Sequence, residues 1–295
     1  MRIVAFSDAH VDINSISEIT GEEGRFLEQL IDCLQESAPD ILVFAGDLTP
    51  DIKLLEDSLK AIAQRVDAQH CLFVPGNHDV WFGSAVDPRG DASSSRDKYE
   101  RVLPQICHQT GFHFLPTQPV IIEEIGFLGS VGWYDYSFRN PQWAINLLNY
   151  AAKRWEGLVW NDVNYAEWEM SDPEVCEWLL QVLESDWQRL EEENMSDCFL
   201  ILHHVPFRET VVYKNNPSWD FCSAFMGSQE FGDWARSRKG IKTVIFGHTH
   251  IPQKTQIDRL SVYCNPIGYL HEVEQQELDL TDFLKTRLTI IEKDL

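Results

Sequence analysis

Five short polar clusters in this chain could do metal chemistry: Asp8-Ala9-His10, Gly46-Asp47, Gly76-Asn77-His78-Asp79, His203-His204 and Gly247-His248-Thr249-His250. Each follows a short apolar run, and strand ends are where α/β enzymes gather reactive side chains. In Asp8-x-His10 and His248-x-His250 the i, i+2 spacing turns both side chains to one side of an extended segment, which is a chelating arrangement. The glycines at 46, 76 and 247 allow a tight turn and a close approach just before the polar residue. Together the clusters offer imidazole, carboxylate and amide oxygen, a set suited to Mn, Fe, Ni or Zn rather than to soft metals. A single His at a strand end is ordinarily a satisfied core or surface residue. His203 continues the apolar run Phe199–Leu202 directly and is favoured over His204, which then reads as a surface residue or a substrate contact.

The elements that must position these clusters are legible as apolar runs. Arg2–Ser7, Ile41–Ala45, Cys71–Val74, Phe127–Val131, Phe199–Leu202 and Thr243–Phe246 read as central strands. Between the early ones, Phe26, Leu27, Leu30, Ile31 and Leu34 form one helical stripe, and Leu54, Leu55, Leu59 and Ile62 form another. A β-α-β-α-β order implies a sheet covered by helices. Runs around Lys254–Ile257, Leu260–Cys264 and Arg287–Glu292 predict a second, more antiparallel sheet. A helix is predicted from Pro173, after Ser171 and Asp172, ending in Glu191, Glu192 and Glu193. Asp87 to Arg96 reads as a mobile loop, and Asp12 and Asn14 either as groups supporting the first metal-binding cluster or, the favoured reading, as ordinary turn residues.

Trp133 to Glu169 is different. It carries five tryptophans and four tyrosines without clear strands, so it reads as a cap-like insertion at about 133–170 in one domain spanning 1–295. Its aromatic residues either form the insertion's own small core, the favoured reading, or make a stacking wall for a planar leaving group. Arg139 and Arg154 are candidates to reach a phosphate from it.

Composition excludes several classes. No run of about 18 apolar residues could span a bilayer. The first residues read as a strand, not as an export signal. Seven scattered cysteines with no C-x-x-C pair suggest neither a disulfide framework nor a thiolate zinc site, and a cytoplasmic location is expected. With 24 basic and 47 acidic residues the net charge is −23, which disfavours nucleic acid as a partner. A small phosphorylated substrate is expected, with no membrane partner and the oligomeric state open.

The ordered clusters resemble the calcineurin-like metallophosphoesterase superfamily, whose pattern runs D-x-H, G-D, G-N-H-D/E, H, G-H-x-H. The resemblance spans about the first five sixths of the chain. It implies a four-layer α-β-β-α sandwich of two mixed sheets flanked by helices. It also implies two metal ions, Mn or Fe foremost and Zn or Ni next. Carried over block by block, Asp8, His10 and His250 hold one ion, Asn77, His203 and His248 hold the other, and Asp47 bridges. His78 lies beside the leaving group as a general acid, with Asp79 orienting it. Such a cation pair activates a shared water for in-line attack on phosphorus, a metal-dependent hydrolysis of a phosphate mono- or diester, for example of a nucleotide. Asn265-Pro266-Ile267-Gly268 resembles the family's N-P-G-S turn. Gly46-Asp47-Leu48-Thr49-Pro50 lacks the V-D-R-G continuation of the protein phosphatases, which disfavours phosphoproteins. Two rivals keep the same fold: a nuclease of the DNA-repair branch, and a non-catalytic binding scaffold.

Overall fold

The computed structural model describes residues 1–15, 25–193, 195–272 and 279–293. Its strands are, in chain order, β1 (Arg2–Phe6), β2 (Ile41–Ala45), β3 (His70–Val74), β4 (His113–Phe114), β5 (Val120–Ile122), β6 (Ile125–Ser130), β7 (Arg154–Trp155), β8 (Leu158–Val159), β9 (Asp197–Leu202), β10 (Ile241–Phe246), β11 (Gln253–Ile257), β12 (Leu260–Cys264) and β13 (Thr289–Glu292). One sheet has the order β13-β1-β2-β3-β4 and the other β11-β12-β10-β9-β6-β5.

Alternation along the strands assigns their faces. Ile3, Ala5, Ile41, Val43, Leu72 and Val74 meet Phe127, Phe199, Ile201 and Ile245 in the interior between the sheets. The residues between them, such as Val4, Phe6, Leu42, Phe44 and Phe73, face outward onto helices. Strands buried on both faces read as continuous apolar runs, which is why they were visible in sequence. Helices Arg25–Glu36 and Ile52–Arg65 cover one outer face, and Asp172–Glu191 packs on β6 at the other. Asp51 starts the second of these helices by accepting from Lys53 N (2.8 Å) and Leu54 N (3.0 Å), and a Ser171/Glu174 capping box with Pro173 starts the third. The result is the expected four-layer sandwich of two mixed sheets.

The second sheet departs from the expected pairing. Its core, β6, β9, β10 and β12, is parallel, with antiparallel edges at β5 and β11. The run Arg287–Glu292 contributes β13 to the first sheet, antiparallel to β1, with Arg2 opposite Glu292. An apolar run identifies a strand without naming its partner. The 133–170 segment does hold strands, since β7 and β8 form a small hairpin. The Asp87–Arg96 loop is tethered, with Asp87 buried near Lys98 Nζ (3.8 Å) and Arg89 Nη1 bound to Glu56 (2.7 Å). Among the described residues, no helix is long and apolar enough to cross a membrane, and the seven cysteines are free.

Candidate metal centre and cleft

Every one of the five motif clusters leaves a strand at the same edge of the sandwich. Asp8 and His10 follow β1, Asp47 follows β2, Asn77 opens a single helical turn after β3, His203 follows β9, and His248 and His250 follow β10. The loops are stitched together through backbone: Asp8 N donates to Gly46 O (2.8 Å) and His10 N to Asp47 O (3.0 Å). The Asn-Pro-Ile-Gly turn closes the set, with Gly268 N donating to Asp8 O (2.9 Å). Asp8, His10, Asp47, His248 and His250 hold left-handed backbones, with φ between 38° and 71°. Such conformations cost about 1–2 kcal/mol per residue and persist where surrounding bonds over-determine them. A Cβ on Gly76 would lie 2.1 Å from Asp47 Oδ1, and one on Gly247 2.4 Å from Asp8 Oδ2, so these glycines are required by close approach.

The side chains converge as two groups. In the first, His10 Nε2 lies 3.1 Å from His250 Nε2 and 3.7 Å from Asp47 Oδ2, and His250 Nε2 lies 3.6 Å from Asp8 Oδ1. In the second, His203 Nε2 lies 3.3 Å from Asp47 Oδ2, 3.3 Å from Asn77 Oδ1 and 3.2 Å from His248 Nδ1. Asp47 belongs to both. The other ring nitrogens fix the tautomers: His203 Nδ1 donates to Ala45 O (2.9 Å), and His248 Nε2 to Phe225 O (3.3 Å). With His203 Nε2 deprotonated, the His203, His248, Asn77 and Asp47 atoms that remain are all acceptors facing one point. Four such acceptors fit a cation in place of that proton, so metal ions suit this donor set.

Electrostatics agree. Burial drives His10 and His248 well below the ordinary histidine range, which keeps them as the neutral imidazoles that ligate metals. Burial would lift Asp47 and lower His203, but their mutual attraction wins, holding Asp47 well below the carboxylate range and raising His203 to about 9. A proton on His203 and a metal ion compete for the same lone pair. His204, adjacent in sequence, turns away: its Nδ1 donates to Val131 O (2.9 Å), and burial lowers it to about 3.

His78 borders the site with its ring stacked on Trp81 at 3.8 Å. It also forms a close group with His10 and Asp47. Asp79 does something other than orient it. Its buried carboxylate accepts from the backbone N–H groups of Asp47 (2.8 Å), Leu48 (2.9 Å), Thr49 (3.1 Å) and Gly76 (2.8 Å), clamping two motif loops together. Asn14 also proves more than a turn residue: it is buried, donates to Ala9 O and Gly268 O, and accepts from Leu270 N.

The clusters open onto a cleft of about 1070 Å³ walled by Trp81, Trp160, Trp219, Met226 and Tyr269. Tyr269 packs on both His10 and His250 with ring centroids 4.5 Å away, a neighbour that sequence reasoning missed although it follows the Asn-Pro-Ile-Gly turn directly. Most of the aromatic residues of the 133–170 segment are core: Trp133, Tyr134, Tyr136, Tyr150 and Trp168 are buried, and Trp160 reaches the cleft. Arg139 and Arg154 do not line it. Arg139 Nη1 donates to Tyr136 O and Arg154 Nη2 to Asn164 Oδ1. Lys214 is the one lysine or arginine among the described residues lining the cleft.

Residues 1–252 match the calcineurin-like phosphoesterase family. The chain belongs to that family. It is therefore a metal-dependent hydrolase of phosphoesters; the family implies a dinuclear metal site, and the structure holds candidate ligand clusters for one. A search of curated proteins finds no match. Among solved structures, phosphopantetheinyl hydrolase (PptH) from Mycobacterium tuberculosis is similar over 99% of this chain and 96% of its own, with a TM-score of 0.75 and 22% identity. That likeness confirms the fold. The calcineurin-like phosphoesterase YfkN from Bacillus subtilis matches at a TM-score of 0.45 and 14% identity, covering 90% of this chain and 80% of its own. A dimetal phosphatase from Danio rerio matches at 0.48 and 13%, covering 90% and 86%.

Proposed function

We propose that this phosphoesterase hydrolyses the phosphate ester of a small molecule with an extended leaving group, using two metal ions and His78 as general acid. The observation that carries the reading is the convergence of His203 Nε2, His248 Nδ1, Asn77 Oδ1 and Asp47 Oδ2, four lone pairs aimed at one point once His203 Nε2 gives up its proton. Asp8, His10 and His250 hold one ion, Asn77, His203 and His248 the other, and Asp47 both. Bound there, the ions supply an activated water and neutralise charge on the phosphoryl oxygens. The protein then has to position the ester and protonate what leaves. Burial lowers His78, while the charges of Asp47 and Asp162 pull it upward, and an arriving phosphate adds a further negative charge that favours the imidazolium. Trp81 holds the ring by stacking. General-acid assistance of this kind is worth about 10²–10⁴-fold.

The cleft supports a leaving group longer than a phosphoryl group alone needs, with apolar walls and Lys214 for a second anionic group. The similar fold of PptH makes phosphopantetheinyl esters the first candidates to test, with nucleotides beside them. Purified protein with Mn²⁺ is expected to release p-nitrophenol from a p-nitrophenyl phosphate mono- or diester, and a substrate panel then ranks the natural esters. Activity that survives Asp47→Asn or a chelator rejects the reading.

A further inference from the structure

Asp162 comes from the insertion, outside all five motif clusters, yet its fully buried carboxylate reaches the metal centre. Oδ1 accepts from Asn77 Nδ2 (3.0 Å) and Trp81 Nε1 (2.6 Å), and Oδ2 accepts from Tyr134 OH (2.8 Å) and Trp160 Nε1 (2.7 Å). A carboxamide has one oxygen and one nitrogen, so fixing Nδ2 on an acceptor fixes Oδ1 in the opposite direction. For Asn77 that direction is toward His203 Nε2. Rotated by half a turn, the same side chain would present N–H groups to a cation. Trp81 and Trp160 extend the control outward, since Trp81 stacks on His78 and Trp160 walls the cleft and meets His248 edge-on at 5.8 Å.

We propose that Asp162 is a positioning residue, holding the Asn77 carboxamide with its oxygen toward the metal and so making one ion's binding depend on the insertion. The proposal rests on the reading of Asn77 as a metal-holding residue. Groups that orient a ligand in this way typically change metal affinity by about 10–100-fold when removed.

The test is Mn²⁺ binding by calorimetry to Asp162→Ala, Asn77→Ala and the double variant. Asp162→Ala is expected to weaken one of the two ions by about 10–100-fold and leave the other within about threefold. In the double variant, Asp162→Ala should add little to the loss caused by Asn77→Ala, because its direct hydrogen bond to a metal-holding side chain is gone. Fully additive losses, or unchanged affinities in Asp162→Ala, overturn the proposal. If Asn77→Ala itself keeps both ions at wild-type affinity, the ligand reading fails and takes the proposal with it. A second measurement needs no variant at position 162. In Zn²⁺-loaded wild-type protein with ¹⁵N-labelled asparagine, the carboxamide signal that Asn77→Ala removes should exchange with solvent at least about 100-fold slower than an exposed amide. Fast exchange of that signal overturns the proposal even if Asp162→Ala does not fold.

Discussion

Replacing Asp79 with Asn separates two accounts of this residue. If it orients His78, as the family resemblance implies, the variant should impair protonation of the leaving group. The structure instead has both carboxylate oxygens occupied by four backbone N–H groups from the loops that carry Asp47 and Asn77. An amide keeps one acceptor oxygen and turns its NH₂ toward the other two donors. Two hydrogen bonds to a charged group are lost, at about 1.5–3 kcal/mol each, for an upper bound of about 6 kcal/mol. Burial and the Asp47 charge push the Asp79 carboxyl up to about 7, so removing its charge returns part of that cost. A net loss of about 2–4 kcal/mol remains, which at about 2–4 °C per kcal/mol lowers Tm by about 5–15 °C. The sign with pH follows: because the folded carboxyl lies above its unfolded value, the wild type loses stability as pH rises toward about 7 and levels off above it, so its margin over the non-titrating Asn variant is wider at pH 6 than at pH 8.5. The assays are thermal unfolding at pH 6 and 8.5, and turnover across aryl phosphates of increasing leaving-group pKa. His78→Ala should lose most on the poorest leaving groups, whereas Asp79→Asn should fall evenly across the series. An unchanged Tm together with a steeper leaving-group dependence in Asp79→Asn would refute the clamp.

Metal affinity should fall as pH falls, because the ion must displace the proton that Asp47 keeps on His203 up to about 9. One proton released means about tenfold in apparent affinity per pH unit below that value, and a flat profile from pH 7 to 8.5 contradicts it. Gly76→Ala puts a Cβ where Asp47 Oδ1 lies, at 2.1 Å, so it should cost both ions, read by metal content after gel filtration. Lys214→Ala should raise KM several-fold for esters with a second anionic group and leave kcat and p-nitrophenyl phosphate turnover unchanged. A matching KM rise for p-nitrophenyl phosphate would place Lys214 at the reacting phosphate instead.

What the sequence makes legible here depends on the range over which a constraint acts. Asp8-x-His10, Gly76-Asn77 and Gly247-His248-x-His250 are local devices, in which spacing alone brings donors to one side and glycine admits a close neighbour, so the structure gathers them as expected. The choice of His203 over His204 rests on one residue of strand register, and the structure points the former's Nε2 at Asp47 and the latter away. Asp79 misleads because the family resemblance makes it the partner that orients His78, whereas both sit in one helical turn, Asn77–Val80, where successive side chains diverge. β13 and Asn14 escape because their partners lie at the other end of the chain, at β1 and at Gly268 and Leu270. Asp162 is the sharpest case. Within the sequence it is one acid among tryptophans and tyrosines, and two of those, Tyr134 and Trp160, become its donors once the chain folds, joined by Asn77 from a motif cluster and Trp81 from beside it. An aromatic-rich segment without a clear period can therefore serve less as a stacking surface than as a dry shell of N–H and O–H donors. Such a shell lets a buried carboxylate hold a metal-facing side chain in place.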